Sequence, residues 1–409
     1  MFEHKIPSFW PFLSVFQKAG CFPCRKVTNK ETHQTSMQPL NGCVHGLIYM
    51  ICVSIVFASV VFGFYNLYSK PNTTHDSPFE FVLDYFGIGS SLQNSPFDLT
   101  VLVSIYVILW GMHWIILLLM VTSKRALCDV YNYFIQNCSI DYNIITILMK
   151  SFSRHLIKIL FFICTGWSLY ISAFTLNILN GLNYKFVTFL PSLISWILLL
   201  VYCLAPILAF HIYFLEVSLL LSSWILSLQE KLKQDQINTF TFLIECKKLI
   251  IALRLLVSTV SKLILCLFVT ILIFCVADVY LAIAFFISQD EFTTANILIM
   301  MGYGCFGLLW TFLAYDYCNF SQDIKDSVNA IKNDLLDLEV KGDQICIIDG
   351  KAADMQHARQ RIVAGLDGFQ GFHGNGYFTL GKELLTSIVA NFITYLIILI
   401  QFKVSEISP

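Results

Sequence analysis

Seven stretches of this chain are apolar for long enough to cross a bilayer: 43–66, 97–121, 156–182, 186–212, 263–287, 296–318 and 384–402. A hydrocarbon core about 30 Å thick needs about 20 helical residues to span it. Nothing else in the sequence constrains the fold so strongly. Inside lipid no water pairs with peptide groups, so a spanning segment must be a helix or a strand of a closed barrel. Continuous apolar runs of this length select the helix. The composition agrees, with 57% hydrophobic and 13% charged residues against about 25% charged in a soluble domain. An all-α membrane protein with seven transmembrane helices is expected. The seventh run is the shortest and reaches about 29 Å, just enough to span.

Lys and Arg set the orientation. The chain has 26 of them, and only Lys70, Lys185 and Lys403 fall on one side of the seven runs. The others sit before the first run or in the second, fourth and sixth connections. This places the N-terminus in the cytosol and the C-terminus outside. A G-protein-coupled receptor has the opposite arrangement. The first 42 residues are polar and show no apolar core with a cleavage site, so no signal peptide is read there and the first span must target the chain.

The expected organisation follows. Residues 1–42 form a cytosolic segment, and 43–318 hold spans one to six, with 213–262 as cytosolic helix extensions. Residues 319–377 are further cytosolic helices, 378–402 the seventh span and 403–409 an external tail. External connections are short, so an outside ligand must enter the helix bundle. Asn72-Thr73-Thr74, in the first external loop, is a glycosylation sequon, although one match arises readily by chance. None of the fourteen Cys lies in an external segment, which argues against external disulfides. Cys21-Phe22-Pro23-Cys24 is a lone CxxC pair, and a zinc site needs a second one.

Within 323–341, Ile324, Val328, Ile331, Leu335 and Leu338 form one apolar stripe. It either packs within the subunit or makes a contact between subunits. Residues 350–376 read as a second cytosolic helix ending in a glycine-rich hinge from Gly365. No internal repeat is visible, which argues against a transporter.

The seventh run contains polar residues at regular spacing. At 100° per residue, Ser387, Asn391, Thr394 and Gln401 share an arc of roughly 80°, with Ile398 on the same stripe. Polar groups in a membrane face a partner or water. Either this stripe bonds a neighbouring helix, or copies of it line an oligomeric pore with Ile398 as a hydrophobic constriction. Asp278 lies in the outer half of the fifth run, with no cation near it in sequence. It either binds a ligand or pairs with a hydroxyl on a neighbouring helix. Tyr170, Phe174, Asn177, Trp196, Asp278, Tyr280, Asn296 and Tyr303 fall at a similar depth. Apolar and aromatic walls with a few polar groups are the usual make-up of a small-molecule site. No HExxH, GxSxG or P-loop appears, no cofactor motif is present and no basic run suggests nucleic acid. Enzyme function is not expected.

The run ends in "TYLIILIQF" (394–402). This resembles the TYhhhhhQF signature closing the last helix of insect gustatory receptors, and 376–402 is similar to that family's C-terminal region throughout. Over the rest of the chain the resemblance is one of layout. It implies a tetrameric, ligand-gated, non-selective cation channel related to the insect odorant receptors and their co-receptor. Four copies of the last helix would line the pore, with Ile398 and Phe402 at gate positions and Gln401 beside them. Cytosolic helix extensions would form an anchor domain, and each subunit would have its own outward pocket. The implied partners are a small tastant, membrane lipid, and further copies or related receptors. The implied location is the plasma membrane of a sensory neuron dendrite. Sucrose- and glucose-type sugar receptors carry Glu after the Thr-Tyr pair; here Leu396 stands there. That leaves bitter-type, fructose-type and contact-pheromone receptors, with a bitter-type plant compound preferred as ligand.

Overall fold

The computed structural model describes residues 8–28, 35–40, 96–137, 142–179, 186–234, 238–287, 294–342 and 351–407, with isolated positions between 51 and 58. Most of the first apolar run, and Asn72, lie outside the described residues. The described chain is mostly helical. Helices α1 (Trp10–Lys18), α2 (Pro96–Thr122), α3 (Lys124–Asn137), α4 (Tyr142–Leu179), α5 (Phe186–Lys233), α6 (Thr239–Ile287), α7 (Thr294–Gly342), α8 (Lys351–Asp367) and α9 (Lys382–Ile407) follow in order. Among the described residues, five helices are long and apolar enough to cross a membrane.

Helices α5, α6 and α7 have 48, 49 and 49 residues. Each is therefore about 72 Å long, more than twice the hydrocarbon thickness, so a large part of each projects beyond it. The more polar halves of these helices pack together with α3 and α8. From Leu204 to Leu221 every residue of α5 except Leu208 is buried, which makes it the central helix. α7 packs along both α4 and α6. The stripe Ile324, Val328, Ile331 and Leu335 is buried within the subunit, so the intrasubunit reading holds for these four residues. The side chain of Leu338 lies outside the description. Ile362 and Leu366 of α8 are buried beside α7 and α6, and Lys332 reaches Asp367 at 2.6 Å.

The N-terminal segment departs from the all-α expectation. Strands β1 (Cys24–Thr28) and β2 (Thr35–Pro39) form an antiparallel pair with Cys24 opposite Pro39. This hairpin and α1 cap the bundle against α3 and α5. Phe9, Leu13, Phe22 and Met37 are buried beneath them. Asn132 of α3 pins β2, accepting the Met37 N–H at 2.7 Å and donating to the Met37 carbonyl at 2.9 Å. Helix α1 has no side-chain cap of its own. The buried carboxylate of Glu216, on α5, fills that role from across the fold. It accepts the Phe9 N–H at 2.7 Å and the Ser8 hydroxyl at 2.6 Å. Cys21 and Cys24 are both buried, and neither is in a disulfide. Among the described residues no group of His, Cys, Asp and Glu is arranged to hold a metal.

The connection from α8 to α9 is an ordered clasp where a hinge was expected. Ser321 of α7 accepts the Phe372 N–H at 3.0 Å and donates to the Leu380 carbonyl at 2.9 Å. Leu380 N–H in turn meets the Phe372 carbonyl at 2.7 Å, and Gly374 N–H meets the Phe378 carbonyl at 2.9 Å. Gly371 has φ +103°, and a Cβ there would meet the Ser321 hydroxyl at 3.1 Å. Only glycine satisfies both the backbone and the close approach. Phe372 is fully buried, edge-on to Phe214 of α5, and Phe378 packs on Phe268 of α6.

Candidate functional site: an exposed polar-striped helix and an outer aromatic cluster

No residue in the most apolar window of α9 is buried. One side of the helix rests on its own subunit, mainly on α6 and α7. Leu385, Ile388, Phe392, Leu396 and Leu399 are half-buried on that side, and Lys403 is buried. Ser387, Asn391, Thr394, Ile398 and Gln401 are all exposed. Their stripe lies roughly 140° around the helix from the packed side. The polar face therefore turns away from its own subunit. Thr394 satisfies its hydroxyl on the Ala390 carbonyl at 3.0 Å.

The stripe is longer than the apolar run suggested. Glu383 and Ser405 fall on the same arc, and both are exposed. Counting from the first apolar residue hid Glu383, which lies in the first turn of the helix. An acidic side chain there is favoured by the positive end of the helix dipole. Residues 403–407 continue the helix instead of forming a tail.

The flanks of the stripe differ in chemistry. One side presents Val389, Ile393, Ile397 and Val404, and the other Tyr395 and Phe402, all exposed. Tyr395 is 61% exposed and Phe402 58%, and exposed apolar patches of this kind mark contact with a partner or with lipid.

The outer-half candidates divide between two helix seams. On the α4–α7 seam, Tyr170 stacks on Phe306 with ring centres 5.8 Å apart and meets Tyr303 edge-on at 5.6 Å. Trp167 closes the group, and the ring of Tyr170 lies against Gly302, where a Cβ would meet it at 3.0 Å. On the α6–α7 seam, Asp278 accepts a hydrogen bond from Trp310 Nε1 at 2.9 Å, and Trp310 stacks on Phe274. The partner of Asp278 on the neighbouring helix is thus an indole, not a hydroxyl. Beside it, Cys275 and Thr311 meet at 3.1 Å. Tyr280 is fully buried on α6, and Asn296 is half-buried in the first turn of α7. The side chains of Phe174, Asn177 and Trp196 lie outside the description.

A second polar group lies on α4, α5 and α7. His155 Nδ1 and Asp316 Oδ1 are 3.0 Å apart, and His155 is held between Phe312 and Phe320. His211 stands edge-on to Tyr317, which packs on Phe214. Both ring nitrogens of His211, the Tyr317 hydroxyl and the second Asp316 oxygen have no hydrogen-bond partner among the described residues. Buried polar groups of this kind are usually satisfied by internal water. The sequence shows the two histidines near the inner face. It gives no sign of the pairing across 161 positions.

No protein-family profile matches the chain, and no curated protein sequence does. Among solved structures the chain matches the insect olfactory receptor OR5 from Machilis hrabei, with a TM-score of 0.61 and 12% identity. The match covers 96% of this chain and 98% of that one. The two proteins share a fold over nearly their full length, and the matched protein is a receptor rather than an enzyme.

Proposed function

We propose that this protein is a chemosensory receptor of the insect gustatory type, acting as a ligand-gated, non-selective cation channel. Copies of α9 line the pore of a tetramer, with Ser387, Asn391, Thr394 and Gln401 on its wall and Ile398 and Phe402 at the gate. One observation carries the reading. An apolar helix presents its only polar stripe on the side opposite its own subunit, which suits water at an oligomer axis and does not suit lipid. Exposed Glu383 supports a cation preference, because four copies would ring the inner mouth with carboxylates. The shared olfactory-receptor fold supports a receptor channel, and the TYLIILIQF ending supports the gustatory branch. The ligand enters from outside toward Tyr170, Tyr303 and Asp278. A bitter-type plant compound is favoured, in a plasma membrane of a sensory neuron dendrite, with Asn72 glycosylated.

Leu396 bears on the ligand class through its place in the fold. It rests on the packed side of α9, where a carboxylate would be buried against the subunit. The reading is tested by cysteine scanning along α9 in cells loaded with a calcium dye. Thiol reagents should block ion entry at 387, 391, 394 and 401 and spare 388, 392 and 399. Equal block at both sets removes the helix from the pore.

A further inference from the structure

The clasp joins the two candidate regions by a route the sequence does not show. Ser321 is fully buried, and its hydroxyl is both acceptor and donor in the 2.9–3.0 Å bonds that close the loop 372–380. Two residues beyond that loop, α9 begins. The loop is also anchored by Phe372 on Phe214 and by Phe378 on Phe268, with ring centres 5.2 Å apart in each case. Next to Ser321, Gln322 lies so close to Gly381 that a Cβ there would meet its Oε1 at 3.2 Å. The base of α9 is therefore fastened to α7 by paired hydrogen bonds at Ser321 and close packing at Gln322, while the two rings seat the loop on α5 and α6.

Helix α7 is continuous from Thr294 to Gly342. Its outer half carries Tyr303, Phe306 and the Trp310 that bonds Asp278. Between Trp310 and Ser321 the helix rises about 16 Å. One rigid element thus connects the outer cluster to the foot of the polar-striped helix. Packing of α9 on α6 supports it sideways, but the buried hydrogen-bonded attachment at its base is to α7.

We infer that Ser321 is the coupling residue through which α7 positions the pore helix, so a displacement of α7 at the outer cluster is delivered to α9 through the clasp. This rests on the channel reading. Ser321 is a positioning residue here, since it touches neither ligand nor permeating ion.

The test is a double-mutant cycle on open probability, with sodium current per surface-labelled subunit as the readout. All channels carry Ile398→Ala, so that current flows without a known ligand. Trp310→Phe removes the bond to Asp278 and is expected to change this current at least about fivefold when Ser321 is intact. With Ser321→Ala the same substitution should change it less than about twofold, and Ser321→Thr, which keeps the hydroxyl, should restore the full effect. Uncoupled sites this far apart act independently to within about twofold. Ser321→Cys fills the same space with a weak hydrogen-bonding group and gives the reading if the alanine variant does not reach the surface. Equal effects of Trp310→Phe in both backgrounds overturn the proposal. So does an absence of any Trp310→Phe effect, because α7 would then deliver nothing. If Ile398→Ala at normal surface density passes no current, the channel reading falls and this proposal with it.

Discussion

Replacing Glu216 with alanine should release the N-terminal cap while leaving the bundle folded. The carboxylate is 1% exposed and accepts the Phe9 N–H and the Ser8 hydroxyl at 2.7 and 2.6 Å. A hydrogen bond to a charged group contributes about 1.5–3 kcal/mol, and a buried donor left without a partner costs about 1–3 kcal/mol. Allowing for overlap among these contributions, Glu216→Ala should weaken docking of the cap by about 3–5 kcal/mol. That corresponds to a factor of about 10² to 4 × 10³ in the docking equilibrium, at one decade per 1.4 kcal/mol. Glu216→Gln keeps one carbonyl acceptor and should lose about half as much. Hydrogen exchange read by mass spectrometry, on protein in lipid nanodiscs, resolves this. Peptides covering 8–18 and 24–28 should exchange about a hundredfold faster in Glu216→Ala, while those from α6 and α7 stay as in the parent. A change under about threefold in the cap peptides would show that Phe9, Leu13 and Phe22 hold it by burial alone, and the reasoning would fail.

Gln401→Ala should alter unitary conductance or the sodium-to-calcium permeability ratio, and unchanged permeation would place the amide off the pore. Ile398→Ala should raise resting current severalfold by removing apolar bulk from the constriction; normal surface density with no added current would rule out a gate there. Asp278→Ala leaves the Trp310 indole N–H without its acceptor, at a cost of about 1–3 kcal/mol. It should shift the dose–response to an active compound by at least about tenfold, with conductance unaltered, and an unchanged curve would make the pair purely structural. Gly371→Ala forces a side chain into a left-handed backbone position against Ser321. It should lower the yield of surface-labelled protein, and parental yield would show that the clasp tolerates strain.

What the sequence made legible was the part of the structure governed by one helix at a time. Five apolar runs fall inside α2, α5, α6, α7 and α9, a sixth lies in α4 as far as Leu179, and the stripe on α9 follows from spacing alone. Contacts between helices were not legible, because periodicity fixes a face but not the neighbour it meets. Both readings of the stripe at Ile324 to Leu335 satisfied the same spacing, and only packing decided between them. Trp310, 32 positions from Asp278, was visible as one aromatic among many until the two helices were set side by side. The strands at 24–28 and 35–39 escaped notice because each is five residues long in a polar segment. They owe their position to Asn132, nearly a hundred residues away. Glu383 was missed because an apolar run, by definition, begins after its last charged residue.

The unequal flanks of α9 have a consequence for mixed assemblies. In a closed ring each copy meets its neighbours through two different edges, a head-to-tail contact. In the proposed ring one edge would be aliphatic, with Val389, Ile393 and Ile397, and the other aromatic, with Tyr395 and Phe402 between that edge and the axis. A foreign subunit entering such a ring must match an aliphatic seam on one side and an aromatic seam on the other. Admission is then judged twice, by two separate surfaces, and a subunit right on one edge alone would end a chain without closing it.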